Sequence, residues 1–201
     1  MKLVLASNNA KKLAELQALF APLGIELVNQ GSLDIPEAEE PFLSFAENAL
    51  AKARHAARLS GLPALADDSG LSVDALGGAP GVRSARYAQD AGGEKSDAAN
   101  NERLLRKLAG VADRRARFVC ALVAVRGADD PEPLIAMGRW GGEILTAPSG
   151  EGGFGYDPLM HIPALGGTVA SLAPEVKNRH SHRALAAAQL LAQFREAWHL
   201  G

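Results

Sequence analysis

The sequence contains one cysteine, no excess of either charge and no long apolar run, and each scarcity closes off a class of protein. Cys120 alone cannot form an intrachain disulfide, which fits a reducing compartment and so the cytoplasm. A net charge of −2 over 201 residues leaves no electrostatic footprint for gripping long nucleic acid, whose phosphates demand clustered positive charge. Any phosphate handled by this chain is therefore expected to be small and locally bound. No segment reaches the roughly 18 consecutive apolar residues of a membrane helix, and the start, MKLVLASNNAKK, has too short an apolar run for a signal peptide. With 47% hydrophobic and 22% charged residues, and neither repeats nor a low-complexity linker, the composition suits one soluble domain over residues 1–201.

What remains is a mixture of strands and helices. Lys2–Ser7 reads as a strand, and Asn8 or Asn9 can cap a helix carrying Leu16, Leu19, Phe20 and Leu23 at helical spacing. Gly24–Val28 reads as a second strand. Ser44 and Glu47 form an S-x-x-E capping box for a helix from Phe45 to Leu59 that ends at Gly61. The apolar PALAD (63–67) predicts a strand that stops at Asp67 and Asp68, and a further helix is expected over Ala98–Leu108. Arg115–Arg126 is the strongest strand, with Pro133–Leu145 as an antiparallel partner bent at Gly141 and Gly142. A last helix is expected from Ser181 to Trp198. The order predicts an α/β protein with a partly antiparallel sheet.

Several short stretches could carry chemistry, and each has a plain alternative. Adjacent strand residues face opposite ways, so of Asp67 and Asp68 only one can face a given ligand. Such a carboxylate suits a hard cation such as Mg2+, whereas DDSG is also a common turn composition. Glu40, in the acidic EAEE, is available as a second ligand or as solvated loop charge, while Glu47 is reserved for its cap. Ser7–Lys12 gathers backbone amides and lysine at a helix start, a geometry that suits phosphate, although no Walker A spacing is present. Asn48 and Lys52 share a helical face. GEGGFGYDP (150–158) sets Phe154 and Tyr156 in flexible glycine-rich chain that could admit a flat base or form a tight hairpin. KNRHSHR (177–183) concentrates donors. Its His180 and His182 lack cysteine neighbours for structural zinc, and Cys120 reads as a small buried hydrophobe.

Taken in order, LASNNAKKLAEL, FAENALAKARHAA, LADDSGLSVDALGGAPGVRSARYA, GGFGYDP and KNRHSHRALA resemble the inosine triphosphate pyrophosphatase family, and these motifs span nearly the whole chain. The resemblance implies an α/β fold with an elongated mixed sheet flanked by helices and two lobes around a substrate cleft. It implies Mg2+-dependent hydrolysis of ITP, dITP and XTP to the nucleoside monophosphate and pyrophosphate, by a cytoplasmic homodimer. By resemblance, Ser7, Asn8, Asn9, Ala10, Lys11, Lys12 and Lys52 hold the triphosphate, Glu40 and Asp68 hold the metal, Asp68 is also the base, and Ser69 touches substrate. Phe154, Gly155, Tyr156, Asp157, Lys177, His182 and Arg183 form the nucleobase pocket, with Arg183 near the purine edge and Asp67 in a supporting place. The chain departs from the family at EEPFLSF, where Pro41 and Phe42 replace the more usual Thr-Gly pair. Two rival readings are a pyrophosphatase for pyrimidine or modified triphosphates and a nucleotide sensor that does not cut.

Overall fold

A computed structural model describes residues 1–200 as seven strands and five α-helices joined by short 3-10 turns. In chain order these are β1 (Lys2–Leu5), α1 (Ala10–Phe20), β2 (Glu26–Asn29), α2 (Phe45–Ser60), β3 (Ala64–Val73), α3 (Asp97–Lys107), β4 (Arg115–Val125), β5 (Leu134–Ile144), β6 (Met160–Ile162), β7 (Gly167–Thr168), α4 (Pro174–His180) and α5 (His182–Ala197). The strands form one sheet in the order β2-β1-β3-β4-β5-β6-β7. It is mixed, as expected for this α/β chain. β1 runs parallel to β2 and β3, whereas β6 is antiparallel to β5 and β7. Among the described residues no helix is long and apolar enough to cross a membrane.

The chain divides into two compact units. The first comprises Met1–Asp68, Cys120–Gly138 and the segment from His182; the second comprises Ser69–Val119 and Arg139–Ser181. In the first unit, strand alternation sorts the core into two layers. Leu3, Leu5, Leu65, Cys120 and Leu122 pack with Leu16 and Phe20 of α1 and with Leu190 and Phe194 of α5. Val4, Ala64, Ala66, Ala121 and Val123 pack instead with Ala49, Ala53, Ala56 and Ala57 of α2. Strands buried on both faces read as continuous apolar runs, which is what β1 and β4 show. The second unit has its own core, built around Leu71, Leu104, Leu108, Trp140, Tyr156, Leu159 and Met160.

Local signals place most boundaries. Asn9 caps α1 by accepting from the amides of Lys11 and Lys12, Ser44 caps α2 and Ser96 caps α3. Gly61, with φ of 68°, closes α2 in the left-handed conformation that glycine adopts without strain. Two expectations need correction. β3 does not stop at the paired acids but continues through Asp67, Asp68, Ser69 and Gly70 to Val73, because burial and pairing override the weak strand preference of these residues. The C-terminal helical segment is not one helix from Ser181: Ser181 is extended and separates α4 from α5.

The start of α5 lies against β5. A Cβ at Gly138 would stand 1.9 Å from the His182 carbonyl oxygen and 2.6 Å from the Ala186 nitrogen, both backbone atoms that cannot swing aside. Gly138→Ala is therefore expected to destabilise the protein by about 2 kcal/mol or more, as overpacking against rigid neighbours does. Gly141→Ala, in the same strand with nothing within 4 Å of its Cβ position, is expected to stay within about 0.5 kcal/mol of the parent. Thermal or urea denaturation of the two variants checks the contrast.

Candidate active site

Because β3 stays regular through the paired acids, their side chains diverge. Asp67 is wholly buried. Its Oδ1 accepts from Lys12 Nζ at 2.7 Å, and its Oδ2 accepts from Arg183 Nε at 2.7 Å and from Cys120 Sγ at 3.5 Å. Arg183, only 2% exposed, also donates to Glu15. Thus α1 supplies Lys12 and Glu15, α5 supplies Arg183, and β3 supplies the carboxylate between them. Burial by itself would push the Asp67 carboxyl up, but Arg183 and then Lys12 outweigh it and hold its pKa well below the usual carboxylate range. The same carboxylate, with Glu15, raises Arg183 above the ordinary arginine value despite burial.

Asp68 faces α2. Its Oδ1 accepts from Lys52 Nζ at 2.8 Å, and the same ammonium donates to Glu40 Oε1 at 2.7 Å. Asp68 Oδ2 is buried and has no hydrogen-bond partner among the described residues. Burial pushes the Asp68 carboxyl above its ordinary value; Lys52 opposes the rise and Glu40 adds to it. For Lys52, burial disfavours the charged form, but the two carboxylates prevail and its pKa is raised. Two neighbouring aspartates are thereby pushed in opposite directions by their surroundings, the pattern that separates acid and base roles in active sites.

The loop carrying Glu40 is fixed from α2. Asn48 is completely buried, its Oδ1 accepting from the Phe42 amide at 3.0 Å and its Nδ2 donating to the Phe42 carbonyl at 3.1 Å. On the loop side only the backbone of Phe42 takes part in these bonds, so the Pro41-Phe42 departure leaves the loop anchored and Glu40 at Lys52. Glu47 does serve the cap: its amide donates to Ser44 Oγ at 3.3 Å, and Ser44 Oγ donates to its carboxylate at 2.6 Å. Ser7 to Lys12 sit together at the start of α1, with Asn8, Asn9, Ala10 and Lys11 exposed. The amides of Lys11 and Lys12 are already bonded to Asn9 Oδ1, at 3.0 and 3.1 Å, so a phosphate there competes with the cap. Asn8 Nδ2 donates to Glu37 Oε1 at 3.2 Å.

In the second unit, Asp157 Oδ2 accepts from the Phe154 amide at 3.0 Å and from Lys177 Nζ at 2.9 Å, and that ammonium stands 4.6 Å from the Phe154 ring centre. Gly153 permits this: a Cβ there would stand 2.1 Å from Asp157 Oδ2. Ser69, half-buried, follows Asp68 on β3. His182 is buried at the start of α5.

Two expected contact residues have their side chains turned elsewhere. Tyr156 is in the core, its hydroxyl donating to the Ser84 carbonyl at 2.8 Å, and burial raises its pKa. Arg183, expected at the purine edge, has its guanidinium buried between Asp67 and Glu15. Sequence reading passed over Glu15, whose only local signal is its place one helical turn after Lys12, and it passed over the backbone grip of Asn48.

Among the described residues no group of three or more His, Cys, Asp and Glu side chains is placed to hold a metal. Glu40 and Asp68 are nevertheless a suitable pair for Mg2+, which takes one or two carboxylates and completes its shell with water and phosphate oxygens. The unpartnered Asp68 Oδ2 is the observation that fits such an ion.

The model of the Ham1 family matches residues 3–193. The dITP/XTP pyrophosphatase of Leptothrix cholodnii is 67% identical over the whole of both chains, and that of Ralstonia nicotianae is 66% identical over 96% of each. Among solved structures, a HAM1 protein from Coxiella burnetii superposes with a TM-score of 0.91 at 46% identity, covering 98% of this chain and 100% of that one. The Ham1 protein of Staphylococcus aureus gives 0.87 at 40% identity, over 98% and 99% of the respective chains.

Asp67→Asn is expected to destabilise the protein at pH 7 by about 3 kcal/mol, since it leaves the buried Arg183 and the half-buried Lys12 facing a neutral group. A carboxyl with a depressed folded pKa contributes stability that is complete above its unfolded pKa, near 4, and is lost as pH falls toward the folded value. Urea denaturation should therefore show the gap between parent and variant narrowing below about pH 4. A gap that stays constant through that range would contradict the ion pairs.

Proposed function

The chain belongs to the Ham1 family, and on that premise we propose how its residues hydrolyse noncanonical purine nucleoside triphosphates such as dITP and XTP to the monophosphate and pyrophosphate. Support for the reaction comes from relatives that are named dITP/XTP pyrophosphatase and match this chain over nearly its full length. The observation that carries the assignment of residues is the group Glu40, Lys52 and Asp68, with one buried carboxylate oxygen left over.

In this reading Glu40 and Asp68 hold Mg2+, which when bound supplies positive charge to the anhydride oxygens. Lys12 and Lys52 add fixed cations, and the segment from Ser7 to Lys11 takes the outer phosphates. Lys12 is already aimed by Asp67, so little ordering is left for substrate to impose. The Asp68 carboxylate is also the group that takes up the proton of the attacking water. A carboxyl raised by burial is a better base than an ordinary aspartate, and Lys52 keeps it ionised. Phe154 offers a ring face to the purine, and Lys177, whose ammonium can only donate, serves its edge. Hypoxanthine and xanthine present an acceptor oxygen at C6 where adenine presents an amino donor, so a donor-only surface disfavours adenine. Ser69 contacts substrate next to the base. Arg183 serves through Asp67 and Glu15. The same reading takes the chain as one functional domain, supported by a single family match over residues 3–193. The cytoplasmic homodimer rests on the family resemblance.

Asp68→Asn should lower kcat with dITP by about a thousandfold, the usual scale for removing a base. Glu47→Ala should cost mainly about 1 kcal/mol of stability through its cap. Activity should vanish in excess chelator and return with Mg2+. Equal kinetic losses in equally folded Asp68 and Glu47 variants, or full activity in chelator, would overturn the assignment.

A further inference from the structure

We infer that Asp97 and Asn101 are positioning residues for the nucleobase: they grip Gly155 on both sides of its backbone and so hold Phe154 where a purine can stack. The inference rests on the reading of Phe154 given above and adds two residues which that reading does not use. Asp97 Oδ2 accepts from the Gly155 amide at 2.7 Å, and Asn101 Nδ2 donates to the Gly155 carbonyl at 2.9 Å. The two side chains are i and i+4 on α3, so one helical face presents an acceptor and a donor at the spacing a single residue's backbone needs.

The helix is a firm base for such a grip. Ser96 caps it through the Ala99 amide at 3.1 Å, and Leu104 and Leu108 are fully buried. Asn100, between the two, performs the same operation on another segment, accepting from the Ala88 amide at 2.7 Å and donating to the Ala85 carbonyl at 3.3 Å.

The loop needs this restraint. Gly150, Gly152, Gly153 and Gly155 surround Phe154, and glycine loses more conformational freedom on ordering than any other residue. Gly155 itself has φ of 60°. Asp157 fixes the Phe154 amide from one side, and α3 fixes the following peptide from the other. A binding side chain has to be held to about half an ångström by its surroundings, and these bonds do that for Phe154. Asn101 retains its place although its Oδ1 is buried without a partner among the described residues, an arrangement with a cost that an apolar residue would avoid.

The test is steady-state kinetics of the full chain with dITP and dATP for Asp97→Ala, Asp97→Asn, Asn101→Ala and Phe154→Ala, alongside thermal denaturation. Asp97→Ala and Asn101→Ala are each expected to raise KM for dITP by about threefold to tenfold, the scale of one lost hydrogen bond. That rise should exceed any fall in kcat, and KM for dATP should rise by a similar factor, because stacking acts on the ring face that both purines share. Asp97→Asn should restore the parent values, because its carbonyl oxygen still accepts from Gly155. If Asp97→Asn fails as badly as Asp97→Ala, the charge at the start of α3 is what matters and the grip is refuted. It is refuted also if Phe154→Ala raises KM while the Asp97 and Asn101 variants leave KM untouched. Should Phe154→Ala itself leave KM unchanged, the reading of Phe154 falls, and the inference with it.

Discussion

The placement of adjacent carboxylates on opposite faces of one buried strand is the constraint on which the first unit depends. Taking an ion out of water costs several kcal/mol and is offset only by close, well-bonded partners. Asp67 therefore obliges α1 to deliver Lys12 and α5 to deliver Arg183, while Asp68 obliges α2 to deliver Lys52. Three helices are in this way registered against two consecutive residues of β3. The apolar layers supply the bulk of the burial, since Phe20, Leu65, Leu122 and Phe194 are all fully enclosed, but apolar contact is non-directional and would tolerate sliding. Ion pairs at 2.7 to 2.8 Å would not.

That constraint also divides the labour of the site. Asp67 has its charge consumed by cations and is held far from protonation, so it acts as a fixed anchor. Asp68 shares the Lys52 ammonium with Glu40 and retains an oxygen with no partner among the described residues, so it is left able to meet something else. Identical side chains one residue apart acquire different chemistry solely from which helix they face.

What could be read from the sequence was local. Ser44 and Gly61 bracket α2 because capping is decided within a few residues, and the α/β class followed from the alternation of apolar strands with periodic helices. The sequence of β3 predicts a shorter strand than the one that forms, because Asp, Ser and Gly are poor strand formers and only the pairing and burial of the folded sheet override that preference. The break at Ser181 has no Gly or Pro beside it to announce it. Arg183 meets Asp67 and Glu15 across 116 and 168 residues of chain, separations at which no spacing rule applies. The amide grips of Asn48 on Phe42 and of Asn101 on Gly155 were equally hidden, because they engage backbone and so impose no pattern on the side chains they hold. The same fact explains why Pro41 and Phe42 can stand where a Thr-Gly pair is more usual.

A carbon-13 NMR titration of the side-chain carboxyls of Asp67 and Asp68 in the metal-free protein measures this separation most directly. Asp68 is expected to titrate above the ordinary aspartate value of 3.8, and Asp67 to remain ionised well below it. Titration of the two together, or Asp67 taking up its proton first as the pH falls, would show that the strand does not separate them as described.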